Sequence, residues 1–109
     1  MKAFAYVNPS SEQEAVAALG PERGKFLPLA GGMDLLARMK DYIDQPDRIV
    51  NLKGALDATI TVMPDGGLKI GAAVKIIDLM EHEQVQKLYP AFIKAAGEIG
   101  TPQDRKSTR

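Results

Sequence analysis

From Leu29 to Leu36 the chain runs out of an apolar stretch, through two adjacent glycines, and straight into a segment of helical periodicity: Leu29-Ala30-Gly31-Gly32-Met33-Asp34-Leu35-Leu36. Glycine lacks a Cβ, so it adopts positive φ at little cost and lets another group come close to the backbone. A helix that follows adds unpaired N–H donors and the positive end of its dipole, which together favour an anion such as phosphate. The same residues also suit an ordinary strand-to-helix turn. Local chemistry leaves both readings open.

The flanking segments extend this junction into a β-α-β-α-β order. Phe4, Tyr6 and Val7 form a β-prone run that Asn8-Pro9 ends. Ser11 and Glu14 have capping-box spacing, Ala15, Val16, Ala18 and Leu19 give a helical apolar face, and Gly20-Pro21 stops it. Phe26, Leu27 and Leu29 are nearly continuous in apolarity, as in a strand covered on both faces, although Pro28 cannot donate to a ladder. Leu35, Leu36, Met39, Tyr42 and Ile43 recur at helical spacing up to Pro46, and Arg48-Ile49-Val50-Asn51-Leu52 reads as a third strand. Right-handed crossovers assemble this order into a small parallel sheet packed with helices, and ligands of such sheets lie outside the strands' carboxyl ends. The double-glycine loop leaves one of those ends.

The pattern then changes character. Ile60 and Val62 alternate with polar residues, Pro64-Asp65-Gly66-Gly67 supplies turn chemistry, and Leu68 and Ile70 resume the alternation, which predicts an antiparallel hairpin. A helix is predicted from about Val74 to Glu83, with Ile76, Ile77, Leu79 and Met80 inward. Another opens near Pro90 with Phe92, Ile93, Ala96 and Ile99 on one face. The predicted fold class is therefore α+β. An α/β first subdomain covers residues 1–54, and the beginning of a mixed antiparallel second subdomain with helices covers 55–109.

Composition removes several classes of chemistry. Fourteen basic and fourteen acidic residues cancel, so no basic excess points to nucleic acid or to an anionic membrane. The basic run Arg105-Lys106-Ser107-Thr108-Arg109 is expected to be a frayed tail. With no cysteine, the chain can ligate no iron–sulfur cluster and carry out no thiol catalysis. The first residues lack an apolar run of signal-peptide or membrane-span length, and a cytoplasmic setting is expected. His82, between Glu81 and Glu83, is expected on an exposed helical turn where adjacent side chains diverge too far to share a metal. Asp41, Asp44 and Asp47 are expected along a solvated edge. No serine has a partner base, and neither a G-x-G-x-x-G nor a G-x-x-x-x-G-K-[ST] motif is present.

Taken in series, the motifs resemble the FAD-binding subunit or domain of the molybdenum hydroxylases, such as the xanthine dehydrogenase and carbon monoxide dehydrogenase medium subunits, with the flavin fold named after p-cresol methylhydroxylase. The resemblance rests on Phe-x-Tyr-x-x-Pro with the following helix to Leu19, Ala-Gly-Gly-x-Asp-Leu at Ala30 to Leu35, and Pro-x-x-Ile-Val-x-Leu at Pro46 to Leu52. Gly-Leu-x-Ile-Gly-Ala at Gly67 to Ala72 and the Tyr-Pro-Ala helix leading to Thr-Pro-Gln at Tyr89 to Gln103 complete it.

The resemblance implies FAD as cofactor, with its diphosphate on the backbone of Ala30, Gly31, Gly32, Met33, Asp34 and Leu35. The family often has threonine at the position of Met33, so main-chain donors alone are expected there. It further implies electron transfer through flavin between iron–sulfur clusters and an external acceptor. The implied partners are a molybdopterin-binding large subunit and a 2Fe-2S small subunit. Family members continue from Pro-Gln into Ile-Arg-Asn and a second Thr-x-Gly-Gly-Asn clamp. Here Asp104 and Lys106 depart from that pattern, and the chain is expected to be an N-terminal piece lacking the second clamp. Three or four charge-assisted backbone hydrogen bonds at about 1.5 kcal/mol each fall short of the roughly 8 kcal/mol of micromolar affinity, so weak FAD retention is expected. The competing expectation is a noncatalytic α/β interaction module that no longer binds FAD.

Overall fold

The computed structural model describes residues 1–99 and Lys106. The expected Thr101-Pro102-Gln103 segment and all of the basic tail except Lys106 lie outside the described residues. The fold is α+β, and the chain divides into two compact units with the boundary between Leu56 and Asp57.

In the first unit, β1 (Ala5–Val7), α1 (Glu12–Leu19), β2 (Phe26–Leu29), α2 (Leu35–Lys40) and β3 (Arg48–Asn51) follow one another. The three strands form a parallel sheet in the order β1-β3-β2, with Tyr6 and Leu27 both in register with Ile49. Ile49 and Val50 point to opposite faces of the central strand, yet both are fully buried, so the sheet is covered on both sides. Pro9, Ala15 from α1, Met39 from α2 and Pro46 are buried with them. Each large apolar side chain so buried stabilises the fold by about 1.5–3 kcal/mol relative to exposure.

Pro28 is accommodated because β2 is an edge strand. The Leu29 carbonyl faces β3, where it accepts from the Leu52 N–H at 2.8 Å, so the neighbouring residue's missing donor falls on the open side. Arg48 fastens α1 to the sheet: its guanidinium lies 4.2 Å from the centre of the Phe26 ring and donates to the Ala18 carbonyl near the helix's C-terminus at 3.1 Å.

Two local expectations change. Ser11 does cap α1, its Oγ accepting from the Glu14 N–H at 3.1 Å, but the Glu14 carboxylate returns to the Ser10 N–H and hydroxyl rather than to Ser11. Those bonds hold the Glu14 carboxyl below its usual range. Val16 is 70% exposed, so the inward face of α1 is narrower than the apolar pattern suggests.

The helix expected to run on to Ile43 ends at Lys40. Tyr42 takes the left-handed conformation with φ 59°, its N–H donates to the Met39 carbonyl, and the Ile43 N–H reaches back to the Arg38 carbonyl at 2.9 Å. This is a Schellman closure with tyrosine where glycine is usual. Tyr42 and Ile43 are consequently exposed, and so is Leu36 in the helix's first turn.

The second unit contains β4 (Ile60–Val62), β5 (Leu68–Ile70), α3 (Ile76–Glu81), α4 (Glu83–Leu88) and α5 (Pro90–Gly97). The strands pair antiparallel, with Thr61 opposite Lys69. Their connection is a three-residue loop. The Gly66 N–H donates to the Met63 carbonyl, Gly66 takes φ 90°, and the Met63 N–H donates to the Gly67 carbonyl at 2.7 Å. Val74, Leu79 and Val85 form the core, with Ile60, Leu68 and Ile93 packed against it.

The single helix expected to reach Glu83 is two helices. His82 breaks it with extended backbone at ψ 123°, and its carbonyl accepts from the Gln86 N–H to start α4. Pro90 is the first residue of α5, as its fixed φ favours. On α5, Ala96 is buried and Ile93 half-buried, but Phe92 is 49% exposed.

Candidate functional site

The carboxyl edge of the parallel sheet gathers the ends of three strands. Leu29 ends β2 at this edge, and Ala30, Gly31 and Gly32 leave it half-buried, followed by exposed Met33 and Asp34 and half-buried Leu35 at the start of α2. The turn needs Gly32. Its φ is 75°, and a Cβ there would lie 3.0 Å from Leu36 Cδ1 and 3.1 Å from Leu29 Cδ1.

Main-chain N–H groups dominate the chemistry of this loop. Those of Ala30, Gly31, Gly32, Met33 and Leu35 donate to no acceptor among the described residues, whereas the Leu36 N–H turns inward to the Gly32 carbonyl at 3.2 Å. A run of unpaired amides closely spaced along a glycine turn suits the oxygens of a diphosphate. The donor set thus fits the nucleotide end of FAD. Because α2 is only six residues long, its dipole adds less than a long helix would, and the individual amides carry the attraction.

Three residues that motif spacing does not single out also come to this edge. Asn51 at the end of β3 donates from Nδ2 to Asn8 Oδ1 at 2.8 Å, tying it to the end of β1, and its Oδ1 accepts from the Lys53 N–H at 3.1 Å. Asparagine at strand ends was the available signal, since its side chain closes short turns on the backbone.

The remaining titratable groups lie apart from this edge in role. Asp44 pairs with Arg38, Nε to Oδ2 at 2.6 Å, which lowers the Asp44 carboxyl from its usual range and raises the Arg38 guanidinium. Asp47 pairs with Lys2, again lowering the carboxyl. Asp41 is exposed at the end of α2, and among the described residues no cluster of three or more histidine, aspartate or glutamate side chains could hold a metal. His82 corrects its expectation. It sits at the break between α3 and α4, half-buried, with Nδ1 shielded from solvent and without a hydrogen-bond partner among the described residues. No helix among the described residues is long and apolar enough to cross a membrane.

A parallel three-stranded α/β unit with a glycine loop at its carboxyl edge, followed in sequence by an antiparallel hairpin with helices, makes this an α+β protein of two units. More specifically, the chain belongs to the family of the FAD binding domain in molybdopterin dehydrogenase, whose model matches residues 2–108. It is 37% identical over 113 residues to the aldehyde oxidoreductase FAD-binding subunit PaoB of Escherichia coli strain K12, covering 99% of this chain and 34% of that protein. It is also 37% identical over 108 residues to the carbon monoxide dehydrogenase medium chain of Hydrogenophaga pseudoflava, covering 94% of this chain and 36% of that one. A solved structure of carbon monoxide dehydrogenase from the same organism, lacking the Mo-pyranopterin moiety of its molybdenum cofactor, superposes with a TM-score of 0.82 at 34% identity, covering 94% of this chain and 36% of that one. The chain therefore spans about a third of the length of these relatives.

Proposed function

We propose that this chain supplies the diphosphate-binding part of the flavin component of a molybdopterin-dependent oxidoreductase. The observation that carries the reading is the run of N–H groups at Ala30, Gly31, Gly32, Met33 and Leu35 that have no acceptor among the described residues, in a chain that belongs to an FAD-binding family. These amides bind the diphosphate oxygens, Asp34 completes the loop, and Gly32 lets the turn close at φ 75° with no Cβ against Leu29 and Leu36. Asn8 and Asn51 hold the strand ends from which the loop departs.

FAD, when bound, supplies the relay of electrons between iron–sulfur clusters and an external acceptor. The cysteine-free chain ligates no cluster itself. A 2Fe-2S small subunit and a molybdopterin-binding large subunit are accordingly its proposed partners, in line with the relatives named as FAD-binding subunit and medium chain. A cytoplasmic setting is part of this reading.

The test is titration of the 109-residue chain with FAD, followed by flavin fluorescence and by amide chemical shifts. The amides alone predict a dissociation constant above roughly 100 μM, which corresponds to a free energy weaker than about 5.5 kcal/mol. Gly32→Val places a β-branched side chain at φ 75° against Leu29 and Leu36, and should weaken FAD at least about tenfold while the sheet persists. Unchanged affinity in that variant would overturn the assignment.

A further inference from the structure

We propose that Lys53 is the cationic partner of the diphosphate at the double-glycine loop, an inference that rests on the loop reading above. The first support is register. Leu29 lies opposite Asn51, and the Leu52 N–H donates to the Leu29 carbonyl at 2.8 Å, so the pairing of β2 with β3 persists to the point where Ala30 and Lys53 depart. Neighbouring strands lie about 4.8 Å apart. Lys53 therefore follows this last bond by one residue on its side as Ala30 does on the other, and its flexible four-carbon stem is long enough to span the spacing of neighbouring strands.

The second support is charge. The ligand is a dianion, and the loop's own Asp34 carboxylate opposes it. In the first unit Arg38 is engaged by Asp44, Lys2 by Asp47 and Lys25 by Glu22, while Arg48 lies on Phe26 and bonds to Ala18. Lys53 is exposed and pairs with no carboxylate among the described residues. Among the described residues Arg23 and Lys40 also have no carboxylate partner, but Arg23 precedes β2 at the sheet's amino edge and Lys40 ends α2, away from the helix's first turn. Within the first unit Lys53 is the cation that follows a strand's carboxyl end, and Asn51 fixes its main chain there through the 3.1 Å bond to its N–H.

The experiment titrates the 109-residue chain and its Lys53→Met, Lys53→Arg and Gly32→Val variants with FAD, inorganic pyrophosphate and riboflavin, following amide shifts at low and physiological salt. Lys53→Met should weaken FAD and pyrophosphate about three- to tenfold at low salt, flatten their salt dependence and leave riboflavin unaffected; Lys53→Arg should retain most of the affinity. If Lys53→Met binds as the parent does, with the same salt slope, while Gly32→Val loses binding, the lysine proposal is overturned and the loop reading stands. If Gly32→Val also binds as the parent does, or the parent chain shows no shift with FAD and pyrophosphate, both fall together.

Discussion

Replacing Gly71 with alanine tests the second unit at its least forgiving point. An ideal Cβ there would lie 2.2 Å from the Asp57 carbonyl oxygen and 2.6 Å from its carbon, far inside van der Waals contact. The obstacle is backbone, and it is pinned. The Asp57 carbonyl accepts from the Ala73 N–H at 2.9 Å, the Gly71 N–H donates to the Thr59 carbonyl at 2.9 Å, and Thr59 closes onto Asp57 Oδ1 through both its N–H and its hydroxyl. Overpacking costs about 1–3 kcal/mol, and displacing the two main-chain bonds adds about 1 kcal/mol each, which gives roughly 3–5 kcal/mol. That approaches the whole stability of many small units, of order 5 kcal/mol.

The assay is urea unfolding by circular dichroism, with hydrogen exchange at Ile60–Val62 and Leu68–Ile70 reporting on the hairpin itself. Gly97→Ala is the control. Among the described residues its Cβ would meet nothing closer than Met80 Cε at 3.9 Å, and alanine in a helix should gain about 0.5–1 kcal/mol. A Gly71→Ala protein within about 1 kcal/mol of the parent, with hairpin protection intact, would refute the close approach.

Two further outcomes follow from local geometry. Tyr42→Gly removes the cost of a left-handed non-glycine residue and should raise stability by about 1 kcal/mol, seen as a higher thermal midpoint; no rise would show that Tyr42 is not held at positive φ. For pH, Glu14, Asp44, Asp47 and Asp57 all have folded-state carboxyls lowered by hydrogen bonds, chiefly from Ser10, Arg38, Lys2 and Thr59 respectively. Groups lowered in the folded state stabilise it fully above their ordinary range. Stability should therefore be flat from about pH 5 upward and decline as pH falls through about 4 and below, and a midpoint that instead rises on acidification would contradict these pairings.

The elements legible in the sequence were those that carry their own punctuation. The double glycine, the Pro64-Asp65-Gly66-Gly67 turn and Pro90 each signal a backbone state that few other residues adopt so readily, and each marks a turn or helix start. The misses are places where tertiary contacts overrode the pattern. Tyr42 closes α2 without glycine, helped by the pairing of Arg38 with Asp44, and His82 divides a helical pattern with neither glycine nor proline to announce it. At the candidate site the loop was visible in the one-dimensional pattern. The arrival of Asn8, Asn51 and Lys53 at the same edge was not, because it depends on β3 pairing with both β1 and β2 across the intervening helices.

The order β1-β3-β2 also governs when the parallel sheet can come into being during synthesis. Within this sheet β1 and β2 precede β3 in the chain, are both outer strands and share no rung, so every rung of the ladder must wait for Arg48–Asn51 to emerge and bridge them. Until then the amide loop has no scaffold. Nascent chains halted before that point hold the glycines yet form no cradle.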